Sequence, residues 1–227
     1  MKSLLKKIKR GVENLLVKPQ AIIKRALNIK TSAVDFPIPW ITSDATKWME
    51  RYLSKEMVVF EYGSGGSTLY IAPRVKKIIS LEYDVSWYKK IRFYIRFNNI
   101  NNCQLELIKP ELEANKKHYS SKSFDYKSSN GYYSDFSFEK YCKYINTFPD
   151  KYFDLIIVDG RSRNSCVLES MKKIKDGGYI LLDDSQRDEY NLGINYLSNL
   201  RRIDFPGFDP FKKSFLKTTT IFQSINN

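Results

Sequence analysis

The segment from Val58 to Thr68, with the sequence VVFEYGSGGST, constrains the fold of this chain more than any other stretch. An apolar strand carries a carboxylate, Glu61, near its end and leads directly into a glycine-rich turn. Because glycine has no Cβ, such a turn lets the backbone approach a ligand closely. Residues 67–72 can begin a helix, and the first amides of a helix attract negative charge. The segment therefore predicts a cofactor site at the first strand-to-helix turn of an open α/β sheet.

The residues around this turn discriminate between cofactors. A dinucleotide fingerprint needs a third glycine where this chain has Thr68, and Glu61 would repel a pyrophosphate. A carboxylate there suits a cofactor with an ammonium group, such as S-adenosylmethionine (SAM). A second apolar run ends in Glu82, and an acid at that position can accept hydrogen bonds from both ribose hydroxyls. The alternative is a plain tight turn with an unrelated surface acid.

On these residues the chain resembles the class I SAM-dependent methyltransferases. The segments EYGSG, VDGR and LDDS are similar to those of bacterial methyltransferase-like proteins. The resemblance implies a Rossmann-like, doubly wound α/β sheet of seven strands in the order 3-2-1-4-5-7-6, with the last strand antiparallel. It implies SAM as cofactor, with contacts from Glu61, Gly63, Ser64, Gly65, Gly66, Ser67, Thr68, Glu82, Tyr83 and Asp159.

Strand and helix patterns alternate along the chain, as a doubly wound parallel sheet requires. The predicted strands lie near residues 57–62, 77–82, 103–108, 153–158 and 178–183, and two more, 201–205 and 216–223, flank a turn at Pro206 and Gly207. The predicted helices lie near 67–72, 84–98, 138–147, 164–174 and 186–200. Thr42 or Ser43 is expected to cap an earlier helix that ends near Leu53. Trp40 and Thr42 either line the cofactor pocket or serve as an apolar plug and a helix cap.

The charge of the chain is unevenly distributed. Residues 1–30 hold nine Lys or Arg and one Glu, a formal charge of +8, whereas the whole chain has a net charge of +13. Apolar residues at helical spacing predict a basic amphipathic helical extension over residues 1–34, followed by the methyltransferase domain, 35–227. The extension can pack on this domain, lie on an anionic membrane surface through residues 1–30, or bind nucleic acid.

Three scattered cysteines without a Cys-x-x-Cys pair favour a reducing cytoplasm. No apolar run is long enough for a membrane span. We therefore expect a cytoplasmic protein, with peripheral contact at the inner face of the membrane as a further hypothesis.

Residues 109–137 interrupt the alternation and are predicted to form an inserted lid or recognition loop. The loop follows the third strand, so it leaves the sheet at the carboxyl edge, where ligands bind. Its Tyr132 and Tyr133 are candidates for stacking on a sugar or an aromatic acceptor. His118 is a candidate general base, because a histidine titrates near neutrality. The alternatives are a mobile surface insertion and a solvent-exposed histidine.

Three carboxylates form the second predicted chemical centre. Asp159 ends an apolar, fully buried strand, and Asp183 and Asp184 end the next one. Carboxylates that converge at a sheet edge need a positive partner, which is either a divalent cation such as Mg²⁺ or the nearby Arg161 and Arg163. Unrelated polar contacts are the third alternative.

This pattern is similar to the metal-dependent O-methyltransferases of the catechol and macrocin types. The resemblance implies that Asp159, Asp183 and Asp184 are catalytic residues and metal ligands. The catechol type has a lysine base three residues after the strand-four acid, where this chain has Ser162. That mechanism is therefore in doubt, and the neighbouring Arg161 and Arg163 become candidates for substrate binding, together with Tyr132 and Tyr133.

These features predict an enzyme that transfers a methyl group from SAM to an oxygen of a small molecule or glycan, with or without Mg²⁺. Nucleic-acid methylation is a competing hypothesis that the basic charge favours. The segment from Asp159 to Ser162 argues against nucleic-acid methylation, because it lacks the Asn/Asp-Pro-Pro-Tyr/Phe motif that is typical of amino-methylating DNA enzymes at this place. A non-catalytic SAM-fold binding protein at the membrane surface is the third hypothesis.

Overall fold

The computed structural model describes residues 37–113, 119–208 and 216–225. The predicted basic extension, residues 1–34, and the candidate base His118 lie outside these residues and stay predictions. Every helix in the described ranges is too short or too polar to cross a lipid bilayer.

Nine strands are present in the described residues: β1 (Val58–Tyr62), β2 (Lys77–Glu82), β3 (Cys103–Leu107), β4 (Glu111–Leu112), β5 (Phe136–Ser137), β6 (Phe153–Val158), β7 (Ile174–Leu182), β8 (Arg201–Phe208) and β9 (Leu216–Gln223). Seven of them form one sheet in the order β3-β2-β1-β6-β7-β9-β8. Strand β9 runs antiparallel to both of its neighbours, and the other neighbouring pairs are parallel. This confirms the predicted Rossmann-like order once the small pair β4 and β5 is left out of the count.

Within the described ranges, six α-helices cover the sheet: α1 (Ser43–Tyr52), α2 (Gly66–Ile71), α3 (Val85–Phe97), α4 (Glu139–Lys143), α5 (Arg163–Ser170) and α6 (Asn191–Tyr196). Alternate residues of the central strands point to opposite faces. Phe60 and Val158 belong to one buried cluster with residues of α4, α5 and α6. Val59 and Ile157 belong to a second cluster with residues of α1. Because both faces are covered, the central strands are apolar almost throughout.

Several boundaries differ from the predicted ones. Strand β7 begins at Ile174, so α5 ends at Ser170, earlier than expected. The helix predicted over 186–200 is a 3-10 turn, Asp188–Tyr190, followed by the short α6. The turn predicted at Pro206 and Gly207 is wrong, since both residues pair with β9 inside β8. Strand β8 lies at the edge of the sheet. A proline is tolerated in an edge strand because the hydrogen-bond donor that it lacks is not needed for pairing on the outer side.

The inserted segment, residues 109–137, contains regular structure in its described part. Strands β4 and β5 pair antiparallel across it, and Gly131–Tyr133 forms a 3-10 helix. The ring of Tyr133 lies 5.5 Å from that of Tyr83 and 5.7 Å from that of Phe138, both in edge-on contacts. These contacts place the segment against the carboxyl edge of the sheet.

Candidate functional site

A cleft of about 560 Å³ opens at the carboxyl edge of the sheet, between the ends of β1 and β6. The strand order reverses at this point, and ligands of doubly wound sheets bind at such a reversal. The volume suits a small-molecule cofactor. The lining comes from the segments before α1 and after β1, β2 and β6: Trp40, Gly63, Ser64, Gly65, Gly66, Ser67, Glu82, Tyr83, Asp84, Ser86, Trp87, Asp159, Gly160, Arg161 and Arg163.

Two glycines of the turn have different roles. Gly63 has a φ of +94°, and a Cβ there would lie 2.9 Å from the Cα of Gly160. Only glycine fits that position, because the turn packs directly on the backbone that follows β6. Gly65 has an ordinary extended φ of −177°, and a Cβ there would meet only the Oγ of Ser67, at 3.8 Å. The space beside Gly65 is therefore left open by the protein and is available to a ligand.

Glu61 is fully buried and does not line the cleft. Its Oε2 accepts hydrogen bonds from Thr68 Oγ1 and Ser80 Oγ, each at 2.5 Å. Thr68 Oγ1 in turn accepts a bond from the amide of Gly65 at 2.9 Å. Burial raises the pKa of Glu61 to about 7, although these hydroxyls oppose the shift. The carboxylate therefore braces the turn through Thr68, and its Oε1 has no hydrogen-bonding partner in the part of the chain that the structure describes.

Glu82, at the end of β2, lies on the cleft wall. Its Oε2 accepts a hydrogen bond from Ser64 Oγ at 2.7 Å, and its Oε1 accepts two from the amides of Tyr83 and Asp84, each at 2.9 Å. Burial raises the pKa of Glu82, although these hydrogen bonds act to lower it. Trp87 Nε1 donates to the carbonyl of Ser64 at 2.7 Å. Ser64 is thus held through both its side chain and its backbone.

Each of the three carboxylates predicted as metal ligands contacts a cation. Asp159 Oδ1 accepts a hydrogen bond from Arg163 Nη2 at 2.8 Å. Asp183 Oδ2 accepts one from Lys217 Nζ at 2.5 Å. Asp184 Oδ2 pairs with Arg187 Nη2 at 2.9 Å, and its Oδ1 lies 3.1 Å from Lys217 Nζ. Protein cations therefore compensate the negative charge of this centre.

The residues do not fit the predicted Mg²⁺ site. A divalent cation beside Asp159, Asp183 and Asp184 would be repelled by the cationic nitrogens already in contact with them. No group of three acidic, cysteine or histidine side chains in the described ranges is arranged to hold a metal. The alternative, pairing of the nearby arginines with these carboxylates, is found for Arg163, which contacts Asp159 and lies 3.7 Å from Asp184 Oδ2. Arg161 forms no such pair in the described residues.

The two candidate arginines occupy different environments. Arg163 is buried, and besides Asp159 it donates to the carbonyls of Gly160 and Asp183. Its guanidinium is therefore used inside the protein. Arg161 is partly buried, lines the cleft and donates from Nε to the hydroxyl of Tyr83 at 2.9 Å.

The aromatic candidates also differ in their position relative to the cleft. Tyr133 contacts Tyr83 beside the cleft, whereas Tyr132 is 83 % exposed and does not line it. Trp40 lines the cleft. Thr42 is fully buried, and its Oγ1 donates to the carbonyl of Phe205 at 3.0 Å instead of capping α1.

Sequence reasoning missed Lys217 of β9. Its side chain is buried, and its Nζ donates to the carbonyl of Trp40 at 2.9 Å as well as to Asp183. No local motif marks it, because 34 residues separate it from Asp183. Asp84 and Trp87, which line the cleft, were also missed. The signal was present in the sequence, because an acid just after Glu82 and before a helical pattern is a typical helix cap. Asp84 Oδ1 accepts a hydrogen bond from the Trp87 amide at 2.7 Å.

Comparison with known proteins shows the fold. No family model matches the chain, and no curated protein matches it. A methyltransferase-like protein of Silicibacter pomeroyi is 22 % identical with a TM-score of 0.51, over 81 % of this chain and 89 % of that one. An rRNA methylase from Streptococcus thermophilus is 11 % identical with a TM-score of 0.51, over 79 % and 93 % of the two chains.

A third solved structure contains a ligand. SMU.1697c from Streptococcus mutans, a candidate methyltransferase in complex with S-adenosylhomocysteine (SAH), is 13 % identical with a TM-score of 0.52, over 78 % and 94 % of the two chains. The likeness to these three structures shows that the chain has the fold of class I SAM-dependent methyltransferases.

The buried ion pair of Lys217 gives a stability prediction. We expect Lys217→Met to lower the free energy of unfolding by about 3–5 kcal/mol, because it leaves the Asp183 carboxylate buried without its cation. Urea unfolding measures this change. The matched control is Lys47→Met, which removes an exposed pair with Asp44 and should cost less than about 1 kcal/mol. Equal losses in the two variants would contradict a structural role for the buried pair.

The raised pKa of Glu61 gives a pH prediction. Its folded pKa is about 7 against an ordinary value of 4.5, so the folded state binds this proton more tightly than the unfolded state. The stability from this group is complete below pH 4.5 and is lost as the pH rises to about 7, by roughly 3 kcal/mol in total. Glu61→Gln should remove this part of the pH dependence of unfolding, and Glu56→Gln at an exposed position should not. Identical pH profiles for the wild type and Glu61→Gln would disprove the assignment.

Proposed function

We propose that this chain is a SAM-dependent methyltransferase that transfers a methyl group to an oxygen atom of a small molecule or glycan. One observation carries the proposal: the switch point of a methyltransferase fold holds a cleft with open space at Gly65 and a buried acid, Glu82, on its wall. When bound, SAM supplies an activated methyl group on a sulfonium.

The residues of the cleft fit this cofactor. Glu82 Oε2 accepts one hydrogen bond, from Ser64, and a carboxylate oxygen has the capacity for a second, from a ribose hydroxyl. The turn from Gly63 to Ser67 would hold the amino-acid end. The acidic side chains of Glu82 and Asp84 give this part of the cleft a negative charge that suits a cationic ligand.

Asp159 is the candidate base for the transfer. Burial and the neighbouring Asp183 raise the pKa of its carboxyl above the usual range, although Arg163 opposes the shift. A carboxylate with a raised pKa accepts a proton more readily near neutral pH. We propose that Asp159 would accept the proton of the acceptor hydroxyl, and that SAM, held by the turn from Gly63 to Ser67 and by Glu82, would supply the methyl group. Arg163, bonded to Asp159 at 2.8 Å, keeps the base in position.

Most of the rate would come from alignment, because the displacement needs the acceptor oxygen in line with the methyl carbon and sulfur. The cleft brings Gly65, Glu82 and Asp159 to one cavity, so one bound pair of reactants can contact all three. No step of this proposal uses a metal.

Gly65→Val tests the cofactor site. The variant should fold normally, since the protein leaves open space at this position, and it should weaken SAH binding at least about tenfold by filling that space. Isothermal titration calorimetry measures the affinity, and thermal melting verifies the fold. Gly131→Val is the control, because a Cβ there meets nothing within 4 Å and Gly131 does not line the cleft. Unchanged SAH affinity in Gly65→Val would refute the cofactor site.

Asp159→Asn tests the base. The substitution keeps the shape of the side chain but removes the proton acceptor, so kcat should fall about 10²-fold or more. SAH affinity should change little. The assay follows the labelled methyl group of SAM into small-molecule, glycan, RNA and DNA fractions. Normal turnover in this variant would show that Asp159 is not the base. Label in the RNA or DNA fraction would support the competing hypothesis of nucleic-acid methylation over a small-molecule or glycan acceptor.

A further inference from the structure

Arg161 differs from the other cations around the cleft in its partners. Arg163, Arg187 and Lys217 all form ion pairs with carboxylates. Arg161 lines the cleft, and no carboxylate of the described residues lies within 4 Å of its guanidinium. A partly buried cation without a counter-ion is costly, since burial weakens its hydration. A bound anion would remove that cost.

The side chain of Arg161 is nevertheless held in one place. Its Nε donates to the hydroxyl of Tyr83 at 2.9 Å, and its guanidinium carbon lies 5.5 Å from the ring of Tyr83 and 5.7 Å from the ring of Tyr133. These distances are those of cation–π contacts. The Tyr83 bond uses Nε, so Nη1 and Nη2 keep donors that a ligand can use.

The backbone around Arg161 is fixed as well. Its carbonyl oxygen accepts a hydrogen bond from the buried thiol of Cys166 at 3.3 Å. The next residue, Ser162, has a left-handed backbone with a φ of 52° and precedes helix α5. Tyr133 reaches this point from the inserted segment, so Arg161 lies between the sheet edge and that segment.

We propose that the acceptor carries an anionic group, a carboxylate or a phosphate, and that Arg161 binds it beside the rings of Tyr83 and Tyr133. This inference rests on the proposed function and narrows its substrate class. The planar guanidinium can donate two parallel bonds to either anion, and the two rings offer apolar faces to the rest of the acceptor. Arg163 cannot take this role, because its guanidinium is bonded to Asp159 and to backbone carbonyls.

The test compares anionic and neutral ligands of one shape. The probes are 4-hydroxybenzoate, 4-hydroxyphenyl phosphate and neutral 4-hydroxybenzamide, titrated by calorimetry into the full chain with and without SAH. We expect at least one anion to bind about tenfold or more tightly than the amide. Arg161→Gln should abolish this preference, and Arg161→Lys, which keeps the charge but not the two parallel donors, should retain part of it. The control is Arg92→Gln, which removes one exposed positive charge and should keep the full preference.

The outcomes separate the subsite from the proposed function. Equal binding of the anions and the amide, or a preference that survives in Arg161→Gln, would overturn the anion subsite. SAH affinity should be the same in the wild type and in the Arg92→Gln control. If SAH does not bind but the anion preference depends on Arg161, the proposed function fails and the subsite stands. If SAH binds and no anion is preferred, only the subsite fails.

Discussion

The hydrogen bonds between two buried acids and the glycine-rich turn keep the cleft in shape. Glu61 holds the amide of Gly65 through Thr68, and Glu82 holds Ser64 directly. A hydrogen bond to a buried carboxylate is stronger than one between neutral groups, so these contacts fix the turn closely. The backbone of Gly63 packs on Gly160, so the same turn also sets where the chain leaves β6. The position of the open space beside Gly65 and that of Asp159 are therefore linked.

The far wall of the cleft depends on charge compensation. Arg163 joins Asp159 to the backbone at the end of β7, and Lys217 joins Asp183 to the segment that contains Trp40. This network, together with Thr219 and Arg187, occupies both carboxylate oxygens of Asp183 and Asp184 and the Oδ1 of Asp159. Burial and the neighbouring Asp183 raise the pKa of Asp159, whereas Arg163, which contacts it at the edge of the cleft, lowers it. Arg161 lies outside the network, and for this reason we propose it as the residue that binds an anion.

Local sequence patterns predicted the sheet and the edge at which the cleft lies. The apolar strands β1, β2 and β6, the glycine-rich turn and Glu82 all lie where their patterns indicated. Contacts between distant residues were not predictable. The buried Glu61 is hydrogen-bonded by the hydroxyls of Thr68 and Ser80. Asp183 pairs with Lys217, which lies 34 residues later in the chain. Pro206 was misread as a turn because its tolerance depends on the edge position of β8, which only the folded sheet defines.

The most direct measurement is a crystal structure of the full chain grown with saturating SAH. We expect SAH in the cleft at the ends of β1 and β6, with its ribose hydroxyls within about 3.2 Å of the Glu82 carboxylate and its amino-acid end beside Gly65. An empty cleft at saturating SAH, or SAH bound at another place on the protein, would show that the cofactor site is not formed by Gly65 and Glu82.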